Sequence, residues 1–185
     1  MDQKTAWEAL RTATPVDARE AAEICSTGLY AWWDPAGCLS RFWPVNLPIV
    51  DFKEPLYVGD APSGIATRIL EMHLKTTRYS GLRRSLAALL LHELDLLPGI
   101  TSVGKGKVII EEAREQRLTD WMVQNLRLTW VVTTDSTALE KLIIADQCPP
   151  LNYKHATNSR YRKAMKAARA ELCRAAARGP SDPLP

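Results

Sequence analysis

The chain has 185 residues, 46% of them hydrophobic and 24% charged, which excludes wholesale disorder and gives enough length for one packed domain. No apolar run reaches the roughly 20 residues that cross a bilayer, and the first residues lack the basic start and apolar stretch of a secretory signal. The four cysteines are too widely spaced to indicate a zinc site or a disulfide framework. We therefore expect a soluble, cytoplasmic protein with no membrane contact.

Positive charge is concentrated near the C-terminal end, although the net charge is only +3. Residues 1–150 carry 16 basic and 19 acidic side chains, whereas residues 151–185 carry 8 and 2. A second basic run, residues 68–84, has five basic side chains and one acidic one. Clustered cations attract polyanions such as nucleic acid, but a solvated helix face has the same pattern, so charge alone leaves both interpretations open.

The first 60 residues predict one helix and two strands. Apolar and charged residues are mixed at loose helical spacing over residues 16–25, which predicts a short helix. Aromatic and aliphatic runs predict strands at residues 28–33 and 55–59, and each run ends at a turn signal. The proline-containing segment between them, residues 34–54, predicts a long loop.

The rest of the chain predicts mainly helices, with one more strand at residues 128–132. Apolar stripes at helical spacing predict helices over residues 64–75, 80–97, 111–125, 137–147 and 159–177. Residues 103–110 indicate a loop that leads into a short strand, and residues 179–185 indicate a disordered tail. With no internal repeat, these elements predict one small α/β domain over residues 1–178.

Two short motifs on the first two predicted strands resemble those of a known family. Gly28-Leu29-Tyr30 and Tyr57-Val58-Gly59 are similar to the paired motif that names the GIY-YIG nuclease superfamily. Further elements follow in the order that the family uses: Arg68 and His73 on one helix, then Glu140, and Asn152 within a Pro-Pro-Leu-Asn ending. The resemblance spans residues 28–152. It implies a three-stranded antiparallel sheet packed by helices, to which this chain adds the basic C-terminal helix.

The resemblance also implies a DNA endonuclease that hydrolyses phosphodiester bonds with the help of a divalent metal. Glu140 resembles the family's single metal ligand, which suits a hard ion such as Mg²⁺ or Mn²⁺. Tyr30 would act as the general base and Tyr57 would orient water or phosphate. A free phenol has a pKa of about 10, so a tyrosine base needs neighbours that stabilise its anion. Arg68 would donate hydrogen bonds to the charge that develops on the phosphorane.

The remaining motif residues keep more than one interpretation. His73 would shuttle a proton or contact the phosphate, and Asn152 would close the site by hydrogen bonding. Glu140 also completes a capping-box pattern with Thr137, which would make it a structural residue. Each motif tyrosine, taken alone, is more often a half-buried strand residue.

This chain departs from the family pattern in three respects. His73 lies five residues after Arg68, where the family more often has four, and the motif tyrosines are 27 residues apart, wider than in compact members. Asp60 follows the glycine of the second motif, where several relatives place lysine, and an acid there would repel phosphate. The alternative function is therefore a catalytically silent nucleic-acid-binding or adaptor protein on the same scaffold.

Basic residues outside the motifs predict a DNA-binding surface that would hold the phosphate backbone with little sequence information. They lie in two groups, one within residues 78–84 and one on the predicted C-terminal helix: Arg78, Arg83, Arg84, Arg162, Lys166 and Arg169. The sequence leaves the oligomeric state open, a homodimer included.

Overall fold

The structure, a computed structural model, describes residues 1–43, 50–104 and 107–178. Its strands are β1 (Gly28–Trp33), β2 (Tyr57–Ala61), β3 (Ile100–Ser102), β4 (Val108–Ile110) and β5 (Arg127–Val132). Its α-helices are α1 (Gln3–Thr12), α2 (Gly81–Leu89), α3 (Glu112–Asn125), α4 (Ser136–Gln147) and α5 (Arg162–Arg178). A π-helix covers Thr67–His73, and short 3₁₀ helices cover Ala18–Glu23, Ser40–Phe42 and Leu97–Gly99. The tail that we predicted to be disordered, residues 179–185, lies outside the described residues.

The main sheet has three antiparallel strands in the order β2-β1-β5, which confirms the predicted α/β fold. Tyr30 on the central strand lies opposite Gly59 on one side and Trp130 on the other. Strand β2 begins two residues later than predicted, after Pro55, which has no N–H to donate to the ladder, and Leu56, whose N–H donates to the Trp32 carbonyl at 2.8 Å. Strands β3 and β4 form a separate hairpin, in a region where the sequence indicated only one strand.

Helices cover both faces of the main sheet. One face carries Leu29, Ala31 and Trp33, which pack with α1 and α4. The other carries Tyr30 and Trp32, which pack in a larger core with the π-helix, α2, α3 and α5. Because neither face meets water, all six residues of β1 are buried, and the strand lacks the alternation of a half-exposed strand.

Both edges of the main sheet are protected from pairing with another chain. On the β5 side, Val16 and Leu128 exchange two backbone hydrogen bonds, at 3.0 and 2.8 Å. On the β2 side, the chain after α4 runs alongside the strand, and the Leu151 N–H donates to the Leu56 carbonyl at 2.9 Å. Exposed strand edges favour aggregation, and these segments cover part of each edge of the sheet.

Three helical predictions are wrong in extent. Residues 16–25 form only a 3₁₀ helix, with a capping box between Asp17 and Glu20. The helix predicted over residues 80–97 stops at Leu89, and turns follow in which Asp95 has a φ of 48°. These turns still bury leucines, so an apolar stripe alone did not distinguish them from helix. The C-terminal helix begins at Arg162, three residues late.

The sequence analysis did not predict α1, which packs on the sheet through Trp7 and Leu10. Asp2 caps its first turn and accepts a hydrogen bond from the Thr5 N–H at 2.8 Å. Among the helices that the structure describes, none is long and apolar enough to span a membrane.

Candidate active site

The two motif tyrosines lie side by side on one face of the main sheet. Tyr30 is opposite Gly59, and Tyr57 is two residues before that glycine, so both rings point to the same side. Their ring centroids are 6.5 Å apart, with 25° between the ring planes. The antiparallel register of β1 and β2 therefore brings together two residues that are 27 positions apart in the sequence.

Close approach explains why both motifs need glycine. The Tyr30 ring lies across Gly59, where an added Cβ would be 2.2 Å from the tyrosine hydroxyl oxygen. At Gly28 an added Cβ would lie 2.2 Å from the carbonyl oxygen of Val131. Neither position has room for a side chain, so the glycines let the strands pair and let Tyr30 reach its partners.

Arg68 and His73 converge on the Tyr30 hydroxyl. The Arg68 Nε–H donates to Tyr30 Oη at 3.2 Å, and His73 Nε2 lies 2.6 Å from the same oxygen. Residues five apart on an α-helix would diverge by about 140° around the axis. Here the segment Thr67–His73 is a π-helix, with an i→i+5 bond from Leu74 N–H to the Ile69 carbonyl at 2.9 Å. The wider turn absorbs the extra residue, so both side chains face Tyr30.

His73 is held from its other side by Ser80, which the sequence analysis missed. His73 Nδ1 lies 2.7 Å from Ser80 Oγ, and that oxygen also accepts the Arg83 N–H at 3.0 Å as the N-cap of α2. The imidazole is completely buried, and burial, together with the charges of Arg68 and Arg83, lowers the pKa of His73 well below its ordinary value. The ring is therefore neutral, with one nitrogen that donates and one that accepts.

Both tyrosines are neutral phenols at neutral pH. Burial, followed by the neighbouring Tyr57, raises the pKa of Tyr30 well above its ordinary value, and the Arg68 guanidinium only partly opposes this. Burial raises the pKa of Tyr57 as well, against the charge of Arg68. No described residue hydrogen-bonds the Tyr57 hydroxyl, which leaves that group available to a substrate or to water.

Glu140 lies on α4 beside Asp60, at the end of β2. Burial and then repulsion from Asp60 raise the pKa of Glu140 to about 7, while the charges of Lys154 and Arg68 act in the opposite direction. No side chain of the described residues forms an ion pair with Glu140. The capping box with Thr137 does not form, because the N-cap of α4 is Asp135 and the Thr137 hydroxyl donates to Asp60 Oδ2 at 2.6 Å. Glu140 thus has no capping role in α4.

A hard divalent ion fits this donor set. In the described ranges no group of three or more His, Cys, Asp or Glu side chains could hold a metal, so a metal here would rely on few protein ligands. Glu140 and Asp60 both offer carboxylate oxygens, and the negative charge of Asp60 adds to the effect of burial in raising the pKa of Glu140. Mg²⁺ commonly binds through one or two carboxylates and keeps several waters, which matches such a pair.

Asn152 lies against strand β2. Its Oδ1 accepts the Val58 N–H at 2.9 Å, and its Nδ2 donates to the Val58 carbonyl at 2.8 Å. Both ends of this buried amide are therefore used, between the tyrosine and the glycine of the second motif. We predicted that Asn152 would close the site by hydrogen bonding, and its bonds to Val58 make it a positioning residue that holds β2.

Arg83 was wrongly placed on the DNA-binding surface. Its side chain is completely buried, and Nη2 forms an ion pair with Glu115 at 2.5 Å. It also donates to the carbonyl oxygens of His73 and Glu115, at 2.9 and 2.8 Å. Arg83 joins α2, α3 and the π-helix inside the core. The other five predicted contacts retain some exposure: Arg78, Arg84, Arg162, Lys166 and Arg169.

Comparison with protein families agrees with this arrangement. The family described as the GIY-YIG catalytic domain matches residues 28–171. The chain belongs to the GIY-YIG family. The match begins at the first motif glycine and extends into α5, so it includes both tyrosine motifs, the π-helix and all of α4. No curated protein and no solved structure matches the chain. As a GIY-YIG protein it has a nuclease-type domain.

Proposed function

We propose that this GIY-YIG protein is a divalent-metal-dependent endonuclease that hydrolyses phosphodiester bonds in DNA. The observation that carries the proposal is the convergence of Arg68 and His73 on the buried Tyr30 hydroxyl. A buried tyrosine hydroxyl needs a hydrogen-bond partner in any case, but Tyr30 has two, of which one is a cation and the other can accept a proton. The family match and the neighbouring Glu140 support the same function.

Tyr30 would act as a base only while it passes its own proton on. Its raised pKa means that a resting tyrosinate is not populated at neutral pH. As the attacking water loses a proton to Tyr30 Oη, the phenolic proton moves to His73 Nε2, which lies 2.6 Å away. His73 then carries a proton on each ring nitrogen, and the Nδ1–H that it had from the start donates to Ser80 Oγ. The water becomes the nucleophile, and the imidazole holds the proton only transiently, because burial and the charges of Arg68 and Arg83 disfavour its charged form.

Arg68 and the carboxylates complete the charge balance around the phosphate. Arg68 uses Nε on Tyr30 and Nη1 on the Met72 sulfur, which leaves Nη2 to donate to a phosphate oxygen. Glu140, with Asp60 beside it, would hold Mg²⁺ or Mn²⁺. When bound, such an ion stabilises the negative charge that develops on the phosphate and the leaving oxygen. Tyr57, with its unused hydroxyl, would orient the water or the phosphate.

A cleavage assay tests this function. The full chain is incubated with supercoiled, linear, branched and single-stranded DNA in Mg²⁺, in Mn²⁺ and in EDTA. We expect products only with metal, and we expect Glu140→Gln to abolish them while DNA binding persists, because the variant keeps the shape of the side chain. Persistent cleavage by Glu140→Gln would refute the assigned role of Glu140.

The alternative is a catalytically silent DNA-binding protein on the same scaffold. Asp60 favours it, because an acid next to Glu140 adds negative charge where a phosphate must approach. Salt-sensitive DNA binding without any product, on all four substrates and with both metals, would establish this alternative.

A further inference from the structure

Two partly buried arginines beside the proposed catalytic tyrosines have no carboxylate partner among the residues that the structure describes. Arg169 on α5 reaches across to α2, where Nη2 donates to the Gly81 carbonyl and to Ser85 Oγ, each at 2.6 Å. Its guanidinium lies 5.1 Å from the centre of the Tyr153 ring. Arg84 on α2 donates through Nη1 to the Arg78 carbonyl at 2.9 Å. Both side chains are therefore fixed by hydrogen bonds to neutral groups.

The charge of these two arginines is not balanced. Within residues 1–43, 50–104 and 107–178, no carboxylate comes within 4.0 Å of either guanidinium, whereas the buried Arg83 has Glu115 at 2.5 Å. Burial, and then repulsion from Arg84, lowers the pKa of Arg169 to about 10. Buried charges are normally paired, because an unpaired one loses its hydration without compensation. The two arginines therefore carry positive charge that no described carboxylate of the protein balances.

Unused donors point to where that anion would bind. In the described part of the chain, Nη1 of Arg169 and both Nε and Nη2 of Arg84 have no hydrogen-bond acceptor. The Tyr153 ring, which Arg169 contacts, also has the Arg162 guanidinium over it, 5.4 Å from the ring centre. A cluster of free N–H groups on fixed guanidiniums matches the oxygens of a phosphate, which accepts several such bonds.

The cluster adjoins the catalytic tyrosines. Gly81, whose carbonyl Arg169 holds, faces the second motif tyrosine, and a Cβ added there would lie 3.4 Å from Tyr57 Oη. The charges of Arg169 and Arg84 both act on the pKa of Tyr57. An anion bound by these arginines would therefore lie next to the position that the substrate phosphate takes at Tyr30 and Tyr57.

We propose that Arg84 and Arg169 form a second phosphate site, which binds a backbone phosphate flanking the one that is cut. The inference rests on the proposed function for the identity of the ligand, since a nucleic-acid strand carries a further phosphate on each side of the one that is cut. The site fixes the register of the strand in the active site, whereas exposed residues such as Arg78 and Lys166 add attraction without register.

Two measurements on the full chain test the site. The first is the melting temperature in increasing inorganic pyrophosphate, with Arg84→Gln, Arg169→Lys and Lys163→Gln as variants. Lys163 is an exposed residue of the same helix, so Lys163→Gln removes one charge without touching the cluster. We expect pyrophosphate to stabilise the wild type and Lys163→Gln, and to lose most of this effect in Arg84→Gln. Arg169→Lys keeps the charge and its effect is intermediate.

The second measurement is DNA binding in the Glu140→Gln background at several salt concentrations. Arg84→Gln should weaken binding about tenfold and lower the slope of log K against log salt by about 1, as expected for one lost phosphate contact. Lys163→Gln should change affinity by less than about twofold. Unchanged binding and an unchanged salt slope in a folded Arg84→Gln protein, while the wild type still cleaves DNA, would overturn the site and leave the nuclease function intact. If the wild type cleaves nothing, the nuclease proposal fails, and the pyrophosphate experiment still decides the site.

Discussion

At the scale of single residues, the site depends on one hydroxyl group held from two directions. Tyr30 Oη contacts Arg68 and His73, and His73 is oriented in turn by Ser80. The motif pattern indicated the tyrosine, the arginine and the histidine, because their residue types and order follow the family. It gave no indication of Ser80, because a serine before a helix is ordinarily only an N-cap, and its second bond depends on where the π-helix places His73.

The buried imidazole predicts how stability depends on pH. Folding lowers the pKa of His73 below its ordinary 6.5, so the unfolded chain binds this proton more readily than the folded chain. The contribution is therefore complete above about pH 6.5 and is lost as the pH falls, with a slope of at most about 1.4 kcal/mol per pH unit. We expect His73→Gln to flatten the loss of unfolding free energy between pH 7.5 and 5.5 in urea titrations. Equal losses in the variant and the wild type would contradict the buried neutral ring.

At the scale of elements, the π-helix is the adaptation that makes an unusual spacing compatible with the site. The sequence showed that His73 lies one residue farther from Arg68 than is common, and that extra residue was the available signal. Periodicity alone predicted an ordinary helix over residues 64–75, because the apolar positions of a π-helical turn also fit an α-helical stripe. Only the i→i+5 bond of the structure explains how both side chains reach Tyr30.

Changing the length of this helix tests the explanation. Deleting Glu71, an exposed residue, shortens the separation of Arg68 and His73 from five positions to four, and an α-helix places residues four positions apart on nearly the same side. We expect the deletion variant to fold, as measured by circular dichroism, and to cleave DNA within about tenfold of the wild-type rate.

The matched control inserts one alanine after Glu71 and creates a six-residue spacing. Neither an α-helix nor a π-helix places two residues six positions apart on the same side, so cleavage should be lost while the fold remains. Full activity of the insertion variant would show that the alignment of Arg68 with His73 is not required.

At the scale of the whole molecule, helices cover both faces of the sheet. On one face, the buried ion pair of Arg83 and Glu115 connects α2 with α3. The sequence predicted the bounds of the three strands of the main sheet to within two residues, because short aromatic and aliphatic runs are distinctive. The prediction for Arg83 was wrong because Arg83 belongs to a run of basic residues, which is typical of a surface. Its carboxylate partner, Glu115, is 32 residues away on α3, and only the folded chain brings them together.

Removing one partner of this pair should destabilise the whole domain. We expect Arg83→Met to lower the unfolding free energy by about 3–5 kcal/mol in urea titrations, because Glu115 would keep a buried charge without a partner. The double variant Arg83→Met with Glu115→Leu should recover much of the loss. An Arg83→Met protein as stable as the wild type, but weak in DNA binding, would instead return Arg83 to the DNA-binding surface.

The most direct test of the account is the cleavage rate of Tyr30→Phe. The substitution removes one oxygen and keeps the ring that covers Gly59, so the fold and DNA binding should be preserved. General-base catalysis by a positioned side chain contributes about 10²–10⁴-fold, and we expect cleavage in Mg²⁺ to fall by at least about 100-fold. A folded Tyr30→Phe protein that cuts DNA at the wild-type rate would contradict the central role of the Tyr30 hydroxyl.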